Sequence, residues 1–598
     1  MFKKSNSTQS ISFRSIFYYA LKIFKILHNN KPLTFYFILL SSVILGVIPP
    51  LSLISMQRII GLLEQSNNNI HNVLGAIAVY LLLDLISEIV ENIQNYTIFK
   101  YKTQITMSIK AMVLNKSIRL SLGQFENSET YDCIQRAKNQ NGDMVFAYFS
   151  NFLMIFRSLV SVISFIAIIL LWSWIVIIPV IVFSIVKSIV TFKMNNKQYK
   201  IIRERTDKER EKWYYEFILT NDIAFKEIKL HHVGNVFVKK YIEIYSKLFS
   251  QDKYLNKKFS INNTILSIID IFISSVVFVL VILDSLSGII SIANTIMYIK
   301  SFTSIKSNIQ GIMIQATSIY RDTLYISELF EFLDLPEEGL NYEGKQISKI
   351  DSIEIIDLSY KYPNSSRFAL KNINLHINRG QIYAIMGKNG SGKSTLVKLL
   401  SGYYEDYLGT IRINGVDLKN INKESYRQQI SVFFQDYTKF EFTVRENICL
   451  GISSHDSKEY TIKKLLQSLG INKEKYQNLN KRLGFWFPDG IQISGGEWAK
   501  IIIARVFMKE ASLNIFDEPN ASLDAESEKI AFSKMKKKSK NSIIVVITHK
   551  MASLKRYANN MIVLHEGEIV AKGNHKELTN CLYYKNLLQE ELREDAIV

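Results

Sequence analysis

The run Gly387-Lys388-Asn389-Gly390-Ser391-Gly392-Lys393-Ser394 is the stretch of this 598-residue chain whose residue types and spacing specify chemistry most directly. Glycines in the run let successive backbone N–H groups converge on phosphate oxygens, and a helix beginning at its end adds a positive dipole end. Lys393 is placed to reach the β- and γ-phosphates of a nucleotide and the Ser394 hydroxyl to ligate Mg²⁺. The pattern has this meaning only between a strand and a helix. The apolar run 381–386 before it and the run starting at Thr395 after it supply that context.

Further along, an apolar strand-like run 513–516 leads into Asp517-Glu518. A carboxylate at the end of such a strand can hold magnesium through water, and its neighbour can polarise an attacking water. Ser494-Gly495-Gly496-Glu497 opens a helical run, making a second N-terminal anion site. Ala521-Ser522-Leu523-Asp524 follows, and His549 comes after the apolar run 543–547. Taken singly, Gln435 after an aromatic run carries no meaning, and His549 reads as an ordinary surface or core histidine.

As an ordered set these motifs resemble the ATP-binding cassette (ABC) ATPases. The resemblance implies ATP and Mg²⁺ as cofactors, contacted by residues 387–395, Ser494 to Glu497, Asp517 and Asp524. It makes Glu518 the residue that activates water and His549 the switch histidine at the γ-phosphate. Gln435 becomes a magnesium ligand on a loop that moves with the membrane helices, and Tyr362 the aromatic that stacks on adenine; a strand-edge packing role is the alternative for Tyr362. Ser394, Gln435 and Asp517 form the implied metal set. In the family the Ser494–Glu497 signature closes on ATP held by another ATPase domain, so two copies of this chain are expected to pair as a homodimer enclosing two nucleotides. Asn514 stands where the family is usually apolar, and local disturbance of the strand is the expected consequence.

The chain is too long for one domain, and its halves differ in character. Six apolar spans of about 20 residues are read at 33–56, 73–92, 148–171, 175–193, 261–283 and 286–302. The expected fold is a membrane all-α six-helix domain followed by an α/β phosphate-loop ATPase domain. Its parts are an N-terminal segment 1–32 with an interfacial helix, a transmembrane domain 33–333, a polar linker 334–350 and a nucleotide-binding domain 351–598. The net charge of +19 invites a nucleic-acid partner, but Lys and Arg cluster before the first span and after the second, as the positive-inside rule expects, and no nucleic-acid module is recognisable. An even span count and a basic start place both termini, and with them the ATPase, on the cytosolic side of a multi-pass membrane chain. Cys133, Cys449 and Cys581 have no metal-ligand spacing and read as reduced thiols.

Connections between spans three and four (Trp172-Ser173-Trp174) and between five and six are nearly absent, and the tryptophans read as interface anchors. Inner connections of about 50 and 65 residues are helical in pattern, so the spans are expected to run on into the cytosol. This arrangement matches six-span ABC exporters, which puts docking segments near 124–136 and 216–230. The segment 483–492, with Phe485, Trp486 and Phe487, together with Trp498 and the 225–230 stretch, is similar to nisin-type lantibiotic exporters; core aromatics are the alternative for Trp486 and Phe487.

That similarity implies ATP-driven export of a peptide, a modified lantibiotic precursor with its leader attached, across a bacterial cytoplasmic membrane. Modification enzymes of a lantibiotic cluster are then possible partners, alongside the lipid bilayer. Because only about 30 residues precede the first span, with no Cys and His pair, no leader peptidase is expected. A multidrug or lipid flippase using the same machine is the alternative, and a soluble ABC ATPase or a non-hydrolysing sensor are others. Two charge features lie inside spans. Asp84, Glu88 and Glu91 share one helical face, to be paired with Arg157 or to line a cavity for a cationic peptide; Lys187 and Asp270, at one depth near the bilayer midplane, are expected to form an ion pair, with two separate residues facing a watery cavity as the alternative.

Overall fold

In the computed structural model, residues 13–65, 70–127, 130, 133, 134, 137, 142–174, 177–338, 344–363, 365–452, 459–471, 476, 478–520, 523–548 and 554–597 are described. They divide into two units, one within 1–118 and 132–335, the other within 119–131 and 336–598.

The first unit is helical. It contains α1 (Phe13–Asn30), α2 (Pro32–Glu64), α3 (Ile70–Ile118), α5 (Gly142–Leu170), α6 (Ile177–Glu204), α7 (Thr206–Thr220), α8 (Asp222–Leu230), α9 (Gly234–Leu286) and α10 (Ile292–Leu333); the short α4 (Leu122–Phe125) belongs to the other unit. Helix α1 is amphipathic: Ala20, Ile23 and Leu27 are buried, whereas Phe17 and Leu21 are exposed. Its Phe24 ring packs edge-on against Phe149 at 5.8 Å and Phe152 at 5.5 Å. Helix α2 starts on Pro32, whose missing N–H costs nothing in a first turn, and carries Pro49 and Pro50 inside it.

Gly46 lets α2 approach α5 closely, since a Cβ there would lie 2.9 Å from the Arg157 carbonyl. A core of Phe165, Ile168, Ile169, Val281, Met297, Tyr298, Phe302 and Ile305 joins α5, α9 and α10. At 49 and 53 residues, α3 and α9 run about 74 and 80 Å at the helical rise, far beyond a hydrocarbon core of about 30 Å.

Four of the described helices are long and apolar enough to cross a membrane: α2, α3, α5 and α9. The spans read at 175–193 and 286–302 overlap α6, which holds the apolar stretch Ile181–Thr191, and the start of α10, where Lys300 and Lys306 dilute the apolar run. Lys187 and Asp270 do meet, with Nζ 3.1 Å from Oδ2. Lys306 of α10, which sequence reasoning missed, takes the other carboxylate oxygen at 3.1 Å. No ion pair joins Arg157 to Asp84, Glu88 or Glu91 among the described residues, and these three acids are exposed. Trp172 is more than an interface anchor: its indole N–H donates to Asp284 at 2.9 Å and its ring stacks on Tyr298 at 5.5 Å.

The second unit has two sheets. Strands β1 (Ser352–Tyr360), β2 (Leu370–Asn378), β4 (Leu408–Ile413) and β5 (Val416–Asp417) form an antiparallel sheet in the order β2-β1-β4-β5. The larger sheet runs β10-β9-β3-β8-β7-β6, from β3 (Ile382–Met386), β6 (Ile430–Phe433), β7 (Leu513–Asp517), β8 (Ile543–Ile547), β9 (Asn560–His565) and β10 (Glu568–Gly573). Strands β6, β7, β8, β3 and β9 are parallel. Strands β3, β7 and β8 are buried on both faces, which explains the unbroken apolar runs of β3 and β8; β7 differs in carrying Asn514 and Asp517. Asn514 does not disturb β7: it keeps register with Ser431 and Ile544, and its side-chain N–H donates to the Ala511 carbonyl at 3.1 Å.

Candidate functional site: a phosphate loop and its carboxylates

The phosphate run begins where β3 ends and continues into α11 (Lys393–Leu400), outside the carboxyl ends of parallel strands, where open α/β sheets bind ligands. Gly392 is the residue before the helix, at φ +101°, and a Cβ there would lie 2.6 Å from the Ala369 carbonyl. A Cβ on Gly387 would lie 2.2 Å from the Leu564 carbonyl. The backbone therefore passes where only glycine fits.

Lys393 is buried and its ammonium turns back into the loop, donating to the carbonyls of Gly387 at 2.7 Å and Lys388 at 3.0 Å. Burial lowers its pKa, partly countered by Glu518 and Asp517. Ser391 Oγ is buried and makes no hydrogen bond among the described residues. A ligand bearing phosphates fits this loop: it offers acceptors to the Lys393 ammonium, the Ser391 hydroxyl and the N–H groups opening α11. Lys388 and Asn389 are exposed, and Lys388 pairs with Glu590 at 2.9 Å.

Asp517 closes β7 opposite Ile547 of β8, and the Ser394 hydroxyl hydrogen-bonds to its carboxylate. Burial, then the neighbouring Glu518, push its pKa up to about 6, against the lowering effects of Ser394 and Lys393. Two adjacent carboxylates, one desolvated, with a serine hydroxyl and a glutamine amide nearby, form an oxygen donor set of the kind Mg²⁺ takes. Glu518 sits at φ +52° while its N–H donates to Ile547 at 2.9 Å, so the backbone turns out of the strand in a conformation uncommon for a side chain of this size. Gln435, just beyond β6, donates from Nε2 to Glu518 Oε2 at 2.8 Å. Tyr437 of the same loop donates to the Gly495 carbonyl at 3.2 Å, so this loop touches both the carboxylate and the start of the signature helix.

That helix is α15, counted after α12 (Lys423–Gln428), α13 (Val444–Ile448) and α14 (Glu459–Ser468), and it spans Gly495–Met508. Ser494 and Glu497 close a reciprocal capping box, which accounts for glutamate at this position. Among the described residues, no hydrogen bond or ion pair joins Ser494, Gly495, Gly496 or Glu497 to the phosphate run. Asp524 caps α16 (Ala525–Ser539), accepting from Ser527 N–H at 2.8 Å and pairing with Lys500 at 3.2 Å; these contacts, led by Ser527, hold its pKa at about 2. Tyr362 lies just past β1, its hydroxyl 3.1 Å from Thr395 Oγ1. The position of His549 is outside the described residues, as are Ala521 and Ser522. Phe485, Trp486 and Phe487 are not core aromatics: they are 55 %, 73 % and 40 % exposed.

Residues 35–309 match the ABC transporter transmembrane region and residues 370–521 the ABC transporter family. The subtilin transport ATP-binding protein SpaT of Bacillus subtilis is 32% identical over 575 residues, 95% of this chain and 94% of that one. The chain belongs to the ABC transporters. The nisin transport ATP-binding protein NisT of Lactococcus lactis subsp. lactis is likewise 32% identical, with 95% of each chain covered. A bacterial Atm1-family ABC exporter with ATP bound shares the fold of this ABC transporter at a TM-score of 0.79 and 17% identity, covering 95% of this chain. Lipid A-core flippases, such as one from Francisella tularensis, match only 42% of this chain, at 32% identity. This ABC transporter is thus a membrane-embedded, multi-pass exporter whose second unit is an ATP-binding ATPase coupled to transport.

Proposed function

We propose that this transporter uses ATP hydrolysis to export a lanthionine-type peptide precursor, leader attached, across the bacterial cytoplasmic membrane, with its ATPase on the cytosolic side. The observation that carries this reading is end-to-end similarity to proteins named for subtilin and nisin transport, spanning 95% of the chain, against 42% for a lipid flippase. The exposed aromatics 485–487, in the segment read as similar to nisin-type exporters, also support it. Two copies pair head to tail, so that Ser494, Gly495, Gly496 and Glu497 of one ATPase face the phosphate loop of the other, with Asp524 beside that junction.

Within each site Lys393 and the N–H groups of 387–395 hold the phosphates, and Tyr362 stacks on adenine. Ser394, Gln435 and Asp517 hold Mg²⁺, Asp517 through water; the metal neutralises charge on the phosphates. Glu518 polarises the attacking water and His549 contacts the γ-phosphate. The domain boundaries follow the sequence: 1–32, 33–333, 334–350 and 351–598, with six spans in the second.

The test is secretion. Cells carrying a lanthionine-peptide precursor and its modification enzymes, but lacking their own exporter, should release the precursor when this chain is supplied and retain it when Glu518→Gln replaces it. Normal ATPase activity in vesicles that move a lipid analogue but no precursor would support the flippase alternative instead.

A further inference from the structure

Residues 119–126 are fastened within the ATPase unit by one backbone and one side-chain hydrogen bond. Glu338 N–H donates to the Arg119 carbonyl at 2.7 Å, and the Gln124 amide to the Pro336 carbonyl at 2.8 Å. The single turn of α4 is closed by a Ser121–Gln124 capping box, so Glu126, just beyond it, leaves the segment in a defined direction. Its carboxylate is divided between two partners. Oε1 accepts from Lys398 Nζ at 3.0 Å, and Oε2 accepts from the Tyr404 hydroxyl at 2.6 Å.

Both partners lead to the nucleotide site. Lys398 stands on α11, the helix that begins with Lys393, Ser394 and Thr395. Tyr404 is buried, stacks on Tyr360 at 5.0 Å and meets Tyr362 edge-on at 5.8 Å. The Tyr362 hydroxyl in turn reaches Thr395 Oγ1 at 3.1 Å, and Lys398 Nζ lies 5.9 Å from both the Tyr362 and Tyr404 ring centres. Burial, reinforced by Glu126, holds the Tyr404 hydroxyl far above its ordinary pKa, so it stays a donor to the carboxylate. A charge-assisted bond at a largely desolvated tyrosine orients its ring more firmly than packing alone.

We propose that Glu126 is a positioning residue for nucleotide binding, which through Tyr404 and Lys398 fixes the ring of Tyr362 relative to the first turn of α11. Base and phosphates are then held in one geometry set from residues 119–126. This rests on the reading of Tyr362 as the adenine platform. Because coupling is reciprocal, nucleotide in the site tightens the hold on Glu126 as much as Glu126 tightens the site.

The full-length protein in nanodiscs is assayed for ATP turnover, with inorganic tripolyphosphate as a competitor that has phosphates but no base. Glu126→Ala should raise KM for ATP roughly threefold to tenfold, with a smaller change in kcat, while the tripolyphosphate inhibition constant moves by less than about twofold. Glu126→Gln keeps an oxygen acceptor for Tyr404 and should fall between wild type and Glu126→Ala. Tyr404→Phe should reproduce the KM rise, and adding it to Glu126→Ala should cost little more, since both break one chain of contacts. An unchanged KM for ATP in Glu126→Ala, or a parallel rise in the tripolyphosphate constant, overturns the proposal. If Glu126→Ala does not purify, Glu126→Gln and Tyr404→Phe carry the same test. Tyr362→Leu separates the two readings: if it leaves KM for ATP unchanged, the adenine platform itself is wrong, whereas a raised KM there with none in Glu126→Ala removes only the role of Glu126.

Discussion

Gln435 Nε2 and Glu518 Oε2 lie 2.8 Å apart, so the amide assigned to magnesium donates a hydrogen bond to the carboxylate assigned to water. Gln435 shares its loop with Tyr437, which donates to the Gly495 carbonyl, so the loop that touches the Glu518 carboxylate also touches the start of the signature helix. If Glu518 activates water, Glu518→Gln should keep ATP affinity near wild type, since the amide preserves shape and the contact with Gln435, while turnover falls about 10²-fold or more. Lys393→Ala should instead weaken nucleotide binding itself. Equilibrium binding of a fluorescent ATP analogue beside phosphate release separates the two; full turnover by Glu518→Gln removes the assignment.

Asp517 makes pH a probe of the same site. Its pKa is raised from 3.8 to about 6, chiefly by burial. Between those values the folded protein without nucleotide binds more protons here than the unfolded chain. The contribution of Asp517 thus favours the folded state below about pH 4 and is lost as pH rises through about 6. Protons and Mg²⁺ compete for the carboxylate, so the Mg²⁺ concentration giving half-maximal ATPase activity should climb as pH falls below about 6, and Asp517→Asn should abolish that dependence along with most of the activity. A half-maximal Mg²⁺ concentration that stays flat from pH 7 to 5 in the wild type would contradict it.

The phosphate loop, its carboxylates and the signature were legible because each needs particular residue types at fixed spacing on local elements: glycines where 387 and 392 pass against carbonyls, a serine three residues before Glu497 for the capping box. Long-range partners were less legible. Lys187 and Asp270 could be matched by depth along their helices, but Lys306 could not, because which face of α10 meets α9 is decided by packing of Phe302 and Ile305 rather than by periodicity. Trp172 showed its amphipathic character in sequence and hid its partner, since Asp284 is 112 residues away. Glu126 lay within the 124–136 segment expected to dock on the ATPase, but nothing local marks that Tyr404 and Lys398 converge on it.

The segment around Gly484 offers a third test. Gly484 is at φ +94°, and a Cβ there would lie 2.2 Å from the Glu441 carboxyl carbon. Glu441 Oε2 also accepts from the Trp486 N–H at 2.7 Å. Gly484→Ala should cost about 1–2 kcal/mol of local stability and release Trp486 from Glu441, without touching the phosphate loop. Precursor secretion should drop while ATPase activity of the purified protein stays near wild type. Equal losses in both would show that the segment serves folding of the ATPase rather than transport.

Asp270 holds two cations, Lys187 at 3.1 Å and Lys306 at 3.1 Å, with Gln310 donating to Oδ2 at 3.3 Å and Ser274 accepting from Lys306 at 2.9 Å. All three charged side chains are at most 20% exposed, and α6, α9 and α10 meet at this one carboxylate. Removing the carboxylate leaves two ammonium groups repelling each other in a poorly solvated place, whereas removing either lysine leaves an intact pair. Asp270→Asn should therefore destabilise by about 3 kcal/mol or more, and Lys187→Met or Lys306→Met by clearly less, read as the order of thermal unfolding temperatures in nanodiscs. The exchange Lys187→Asp with Asp270→Lys recreates one pair but sets the new lysine against Lys306, so it should recover only part of the loss. Adding Lys306→Met to that exchange relieves the repulsion and should recover more. Equal destabilisation by all three single variants would mean that the carboxylate does not organise the cluster.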